Sequence, residues 1–168
     1  CGDLSAGVFD LQGRMIAQAV TGTPGHVNSM AEAVKHFIQH FPLEKMNEGD
    51  IYITNDPWLG TGHLNDFVLT TPCFKDSRLV ALFSCTSHIT DIGGLGTGTD
   101  GTDVHMEGIY IPMLKLADRG QMNETLLAMV RQNTRQPVET EGDVYSLAAC
   151  NDIGCCRLVE MMDEFGLE

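Results

Sequence analysis

The sequence predicts an α+β fold, in which helices pack against a mixed, mainly antiparallel sheet. Short runs rich in β-branched and aromatic residues recur between turn residues over residues 4–85, as is typical of strands. Segments at residues 28–41 and 123–165 carry apolar residues about every 3.6 positions, as amphipathic helices do. A chain of 168 residues is long enough for one hydrophobic core, so we expect residues 1–168 to form a single domain or part of a larger one.

Five strands are predicted, and four of them form hairpins. The first two are joined by a turn at residues 10–13, which ends in a glycine suited to positive φ. The last two are joined by a short turn at residues 75–78, so they are expected to pair antiparallel. The predicted strands are residues 4–9, 14–20, 50–54, 67–74 and 79–85.

Three helices are predicted. The first is capped by Asn28 or Ser29 and ends before Pro42, which cannot continue a helix. Its apolar positions are Met30, Ala33, Val34, Phe37, Ile38 and Phe41. Two further helices, at residues 123–132 and 140–165, close the chain.

Glycine-rich polar segments interrupt these elements at residues 22–26, 55–62 and 91–108. The last of them is a long loop with almost no apolar anchors, and it precedes an apolar run at residues 109–116. Loops of this length inside a compact domain are usually functional or disordered. The string at residues 96–101 matches G-x-G-x-x-G, but no βαβ unit surrounds it, so we reject dinucleotide binding there.

Composition excludes several classes of partner. A formal net charge of −13 without a basic cluster repels nucleic acids and anionic membranes. The longest apolar runs are far short of a bilayer span, and no export signal is recognisable, so we expect a cytoplasmic protein that binds small molecules and other subunits. The cysteines lack the spacing of a disulfide framework, and we interpret them as reduced thiols: Cys1, Cys73, Cys85, Cys150, Cys155 and Cys156.

The second hairpin predicts where polar side chains meet. If residues 76–77 form a two-residue turn, the numbers of facing residues sum to about 153. Asp66 is then expected opposite Ser87, and His63 and His88 lie at the same end of the hairpin. Facing side chains in antiparallel strands are on the order of 5 Å apart at Cβ. A slip of one residue changes the face but not the end.

Two imidazoles and one carboxylate at this end predict a divalent metal site. His63, Asp66 and His88 would leave open coordination positions, as in several zinc, manganese and non-haem iron centres. Asp56 or Asp91 would orient the histidines from outside the ligand set. The alternative is that each histidine is an ordinary hydrogen-bonded residue.

The other histidines show less of this pattern. His36 and His40 stand four residues apart on one predicted helix, but they lack the intervening glutamate of a metalloprotease helix. We therefore do not expect these two to bind the ion. His26, preceded by Gly25 in a loop, and His105, followed by Glu107, are weaker candidates than the triad.

Five short strings occur in order along the chain. They are DLSAGVFD at 3–10, NDPW at 55–58, GHLND at 62–66, SHITDIGG at 87–94 and EGIYIP at 107–112. Each string alone is weak, but their order and approximate spacing resemble those of the hydantoinase B, 5-oxoprolinase and acetone carboxylase alpha-subunit family. The resemblance covers nearly the whole chain, including residues 126–133 and 148–151. Because the chain begins with Cys1, we expect it to be an internal fragment of such a catalytic subunit.

The resemblance implies an ATP-dependent hydrolase of cyclic amides, of the N-methylhydantoinase or 5-oxoprolinase type. An acetone or acetophenone carboxylase alpha subunit is the first alternative, and a non-catalytic assembly segment is the second. The resemblance also implies a hetero-oligomer, because in this family a hydantoinase A-like subunit or domain with an actin-like ATPase fold binds ATP. This chain has no G-x-x-x-x-G-K-[ST] phosphate loop of its own.

In the carboxylases that this chain resembles, a manganese-type ion is held by a His-x-x-Asp pair and a later histidine. These positions correspond to His63, Asp66 and His88, the same three residues that the hairpin predicts. Two departures bear on the number of ligands and on the metal. Asn65 stands where the family usually has proline, and Ile89 stands where a second histidine often follows.

Three acidic residues are predicted to carry protons in the reaction that the resemblance implies. Asp56, Asp91 and Glu107 all lie within the matching strings, near the expected site. The alternative is structural, because an Asn-Asp-Pro sequence is also typical of a turn and Glu107 could cap a loop.

Overall fold

One antiparallel sheet forms the middle of the protein, with helices on both faces. The computed structural model describes residues 3–20, 22–96 and 98–167. The strands in this part are β1 Leu4–Phe9, β2 Met15–Gln18, β3 Ile51–Thr54, β4 Asp66–Lys75, β5 Arg78–His88, β6 Leu114–Asp118 and β7 Gln121–Met122. The helices are α1 Pro24–His40, α2 Glu124–Asn133 and α3 Pro137–Glu164, with 3-10 turns at Leu43–Lys45 and Val104–Met106.

The strand order is β2-β1-β5-β4-β3-β6-β7, and every pair described is antiparallel. Helix α1 packs on one face, where a cluster includes Met30, Val34, Phe37, Val68 and Leu82. Helices α2 and α3 cover the other face, where the larger cluster includes Phe67, Leu69, Leu127, Val130 and Val144. Strand residues alternate between the two clusters, as the two-residue period of a strand requires. The α+β prediction is confirmed.

The hairpin of β4 and β5 has the predicted turn but not the predicted register. Turn residues 76–77 both have positive φ, 50° and 64°, as a two-residue type I′ turn requires. A bulge at residues 73–74 then adds one residue to β5. Asp66 therefore lies opposite His88, and the expectation that it faces Ser87 is wrong by one residue.

Helix α1 begins one turn earlier than expected. Neither Asn28 nor Ser29 caps it, because the helix already starts at Pro24. Proline is favoured in the first turn of a helix, where its missing N–H has no helical acceptor to lose. The consequence for function is that His26 lies in the first turn of α1 and not in a loop.

The predicted loop at residues 91–108 is present, and its ends are tied together. Ile109 donates its amide to the Ile92 carbonyl at 2.8 Å, and Leu95 donates to the Met106 carbonyl at 2.9 Å. The apolar run at residues 109–116 becomes a strand only from Leu114, where β6 begins.

Strand β7, which pairs with β6, was not predicted. It has only two residues, Gln121–Met122, and so gives no alternating pattern.

In the described ranges no helix has the length and apolar character needed to cross a bilayer. The five cysteines in those ranges are free thiols, and Cys1 lies outside them.

A glycine in the 91–108 loop offers a test of this closure. Gly94 has a φ of 57°, and a Cβ added there would overlap the backbone carbonyl of Glu107. We expect Gly94→Ala to push the two backbone segments apart at a cost of about 2 kcal/mol. Cleavage of this loop by a protease in native buffer should therefore become at least about ten-fold faster.

Gly101→Ala is the matched control in the same loop. A Cβ at this position would meet nothing closer than the Asp103 carbonyl oxygen at 3.9 Å. Its cleavage rate should stay near that of the wild type. Equal cleavage rates for Gly94→Ala and Gly101→Ala would contradict the close approach of the two segments.

Candidate metal centre

The central hairpin brings three of the predicted site residues together at one end of the sheet. Asp66 is the first residue of β4, His88 is the last of β5, and the two lie directly opposite each other. Side chains in such a pair point to the same face. His63 precedes β4 in a tight turn, in which its carbonyl accepts the Asp66 amide at 3.2 Å.

The site faces helix α1. Asp66 and Val68 are two positions apart on β4, so their side chains share a face of the sheet. Val68 packs in the same cluster as Met30 and Val34 of α1. The carboxylate of Asp66 therefore points towards the layer that contains the first turn of this helix.

A buried carboxylate lies between two more exposed imidazoles. The Asp66 side chain is 1% exposed, whereas that of His88 is 28% and that of His63 is 71% exposed. Oδ1 of Asp66 lies 2.9 Å from Nδ1 of His88, and Oδ2 lies 3.7 Å from Nδ1 of His63. One potential ligand atom from each residue lies within 4.8 Å of the other two. The open side of this group is the His63 side.

One atom of the group favours a cation. Oδ2 of Asp66 is buried and has no well-aligned hydrogen-bond donor among the described residues. A carboxylate oxygen in this state is costly unless a donor or a cation satisfies it. Imidazole nitrogens with one carboxylate are donors that suit Zn²⁺, Mn²⁺ or Fe²⁺. The residues present therefore fit a divalent transition-metal ion.

Two further residues lie next to this group: His26, which the sequence offered only as a weaker candidate in a loop, and Asp3, which it did not indicate. Nε2 of His26 lies 3.3 Å from Oδ2 of Asp66, and Nδ1 lies 3.6 Å from Oδ1 of Asp3. Asp3 reaches the site because the next residues, in β1, pair with β5, a contact between distant parts of the chain. The one local signal was Pro24, which marks a helix start that would have placed His26 in a first turn.

Asn55 stabilises the backbone next to the segment that carries His63. It is fully buried, and its side-chain amide donates to the carbonyls of Leu64 at 2.7 Å and Ile109 at 2.9 Å. Its Oδ1 accepts the amide of Ile111 at 2.6 Å. Asn55 thereby ties the end of β3 to the segment that carries His63 and to residues 109–111.

Asp56 has both a turn-forming contact and an ionisable neighbour. Its Oδ1 accepts the amides of Trp58 at 2.9 Å and Leu59 at 3.3 Å, which fits the structural alternative of a turn. Tyr110 is its ionisable neighbour. Partial burial, and after it the nearby Asp56 carboxylate, raises the pKa of Tyr110 above its ordinary value.

The structure places Asp91 against the start of α3 and not against the histidines. Its carboxylate accepts the amides of Gly93 at 3.0 Å, Gln136 at 2.6 Å and Arg135. Burial would raise the pKa of Asp91, but these amides outweigh it and lower the pKa. The expected orienting contact from Asp91 to a histidine is absent from the described residues.

Glu107 ends the 3-10 turn Val104–Met106 and is exposed. Its backbone amide donates to the Val104 carbonyl at 3.2 Å, as the loop-capping alternative expects. No ion pair of its carboxylate occurs within the described ranges. Proton-transfer roles for Asp56, Asp91 and Glu107 stay predictions.

The whole chain matches one protein family. A family model described as Hydantoinase B/oxoprolinase matches residues 1–168. Over 169 residues the chain is 31% identical to caprolactamase subunit beta of Pseudomonas jessenii, covering 99% of this chain and 29% of that protein. These matches confirm the resemblance drawn from the five sequence strings.

Two solved structures share the fold. The crystal structure of ATP-dependent caprolactamase from Pseudomonas jessenii is similar with a TM-score of 0.87 at 31% identity, covering 98% of this chain and 28% of that one. A nucleotide-free acetone carboxylase structure gives a TM-score of 0.76 at 21% identity, covering 97% of this chain and 21% of that one. The chain thus spans less than a third of the length of these proteins.

Proposed function

This chain belongs to the hydantoinase B/oxoprolinase family, and from that premise we propose that it is the metal-binding part of an ATP-dependent enzyme that hydrolyses cyclic amides. The observation that carries this proposal is the convergence of His63, Asp66 and His88, whose ligand atoms lie within 4.8 Å of one another. A hydrolase of the N-methylhydantoinase or 5-oxoprolinase type is the specific activity proposed.

The similar proteins support ATP dependence and a companion subunit. The caprolactamase structure is described as ATP-dependent, and the matching chain is named subunit beta. Because this sequence has no phosphate loop, we assign ATP binding to a hydantoinase A-like subunit or domain. The working enzyme is then a hetero-oligomer in which this chain contributes the metal centre.

The geometry gives each ligand a separate task. A bound divalent ion supplies Lewis-acid polarisation of the substrate carbonyl oxygen. Asp66 anchors the site from its buried position, and His88 is held against it through Nδ1. His63 is the most exposed of the three and stands on the side from which a substrate would approach.

Proton transfer is assigned by which carboxylates are free to act. The Asp91 carboxylate is occupied by backbone amides, which stabilise its ionised form and make it a weak base. Backbone amides engage Oδ1 of Asp56, whereas Oδ2 accepts no backbone amide among the described residues and can take up a proton. We therefore assign proton transfer to Asp56, with Glu107 as the exposed alternative.

Metal analysis of the complete protein tests the proposal. We expect near-stoichiometric Mn, Zn or Fe in the wild type, and at least about ten-fold less in folded His63→Ala and His88→Ala, because each loses one of three ligands. ATP-dependent opening of a hydantoin or oxoproline ring by the complete complex should fall in parallel. Elemental analysis and circular dichroism provide the measurements.

His36→Ala is the matched control, since His36 lies on α1 and belongs to no metal-binding group in the described part of the chain. It should keep both metal and turnover. A wild-type protein without metal, or triad variants that retain it, would argue for the non-catalytic assembly segment. Bicarbonate-dependent consumption of a ketone, without ring opening, would identify the carboxylase instead.

A further inference from the structure

The first turn of helix α1 places a largely buried imidazole, that of His26, next to Asp66. The side chain of His26 is 9% exposed, and its Nε2 lies 3.3 Å from Oδ2 of Asp66. Among the ion pairs of this oxygen in the described residues, the one with His26 is the shorter, since Nδ1 of His63 is 3.7 Å away. His26 and Asp66 thus face each other with both side chains largely buried.

One oxygen of the Asp66 carboxylate still needs a partner. Oδ1 of Asp66 is already bonded to His88, whereas Oδ2 has no aligned donor among the described residues. A small rotation of the imidazole about its side-chain bonds would align Nε2–H with Oδ2 at the observed separation. A carboxylate oxygen has two lone pairs, so this bond leaves Asp66 able to hold an ion.

The ring of His26 is held on its Nδ1 side by residues of β1 and the segment before it. Oδ1 of Asp3 lies 3.6 Å from Nδ1 of His26, and the hydroxyl of Thr23 donates to the same Asp3 oxygen at 2.8 Å. The amide of Thr23, the residue before α1, donates to the hydroxyl of Ser5 at 2.9 Å. These contacts fix the first turn of the helix to strand β1.

The position of His26 argues for orienting a ligand and not for being one. The potential ligand atoms that lie together come from His63, Asp66 and His88, and His26 is not among them. We propose that His26 is a positioning residue, whose Nε2–H donates to Oδ2 of Asp66 and fixes the carboxylate for metal binding. This inference rests on the proposed metal centre and adds to it a fourth residue from a different element.

Two amide variants separate a hydrogen bond from simple packing. The side-chain nitrogen of His26→Gln takes the place of Nε2, whereas that of His26→Asn is one bond shorter and corresponds to Nδ1. Titration of the metal-free complete protein with Mn²⁺ or Zn²⁺, followed by calorimetry, gives the dissociation constant for each. Mn²⁺ paramagnetic resonance spectra report the ligand geometry independently of turnover.

We expect His26→Asn to weaken metal binding by about 10- to 100-fold, the usual effect of losing a group that orients a ligand. His26→Gln should stay within about three-fold of the wild type, with an unchanged spectrum. Wild-type affinity in His26→Asn would overturn the inference, and so would equal weakening in both variants. Failure of the wild type to bind either ion would instead overturn the metal centre itself, so the two failures are distinguishable.

Discussion

Replacing Asp66 by asparagine is expected to abolish metal binding at this centre, with a larger effect than replacement of any single histidine. The carboxylate of Asp66 lies 2.9 Å from His88, 3.3 Å from His26 and 3.7 Å from His63. Asp66 is therefore the one residue that lies close to all three of these histidines, so its replacement disturbs each of those contacts. An asparagine keeps the shape but removes the negative charge and one acceptor.

The expected loss of affinity for Mn²⁺ or Zn²⁺ exceeds about 100-fold, because replacing even an outer partner of a metal ligand costs 10- to 100-fold. Turnover should fall at least as far. Asp163→Asn makes the same chemical change at a carboxylate that is 65% exposed and should leave both quantities unchanged. An Asp66→Asn protein that is folded and still binds metal with wild-type affinity would show that the triad is not the site.

Local sequence patterns predicted the position of the triad because they report local structure. The turn at residues 76–77 and the two strands around it lie within one continuous segment, so counting from the turn brought Asp66 and His88 to one end. The bulge at residues 73–74 was not predictable in this way. It shifted the register by one residue and made the two side chains face each other directly.

The rest of the site depends on contacts between distant parts of the chain. His26 meets Asp66 only because α1 packs on the sheet, and Asp3 arrives through the pairing of β1 with β5. Neither contact leaves a periodic pattern in the sequence. The contact of the Asp91 carboxylate with the start of α3 likewise joins distant parts of the chain, and the glycine-rich string around Asp91 does not indicate it.

A second carboxylate, Asp50, is fully buried and stabilises the fold away from the metal group. Its Oδ2 accepts the hydroxyl of Tyr52 and the amide of Asn47, each at 2.9 Å, and lies 2.9 Å from Nζ of Lys115. Its Oδ1 accepts the amide of Arg119 at 3.0 Å. These groups join the start of β3 to the turn between β6 and β7.

The lowered pKa of Asp50 makes the stability of the fold depend on pH. Burial alone would raise the pKa of this carboxyl, but Lys115 and the backbone amides outweigh it and lower the pKa to about 2. The value in an unfolded chain is about 3.9. Because the folded value is the lower one, the ionised group stabilises the fold above about pH 4, and this stabilisation is lost as the pH falls towards 2. The difference amounts to about 3 kcal/mol.

We therefore expect Asp50→Asn to lower the free energy of unfolding by about 3 kcal/mol at pH 7, since it breaks a buried ion pair and leaves partners unsatisfied. At pH 3 the gap to the wild type should narrow by about 1 kcal/mol. Urea denaturation at the two pH values measures both quantities.

Asp118→Asn is the matched control, because Asp118 pairs with the same Lys115 at 2.8 Å but is 65% exposed. An exposed pair of this kind contributes at most about 1 kcal/mol. Losses of equal size in the two variants would mean that Lys115 alone accounts for the effect. A cost for Asp50→Asn that does not change between pH 7 and pH 3 would contradict the lowered pKa and leave only shape and hydrogen bonding as the cause.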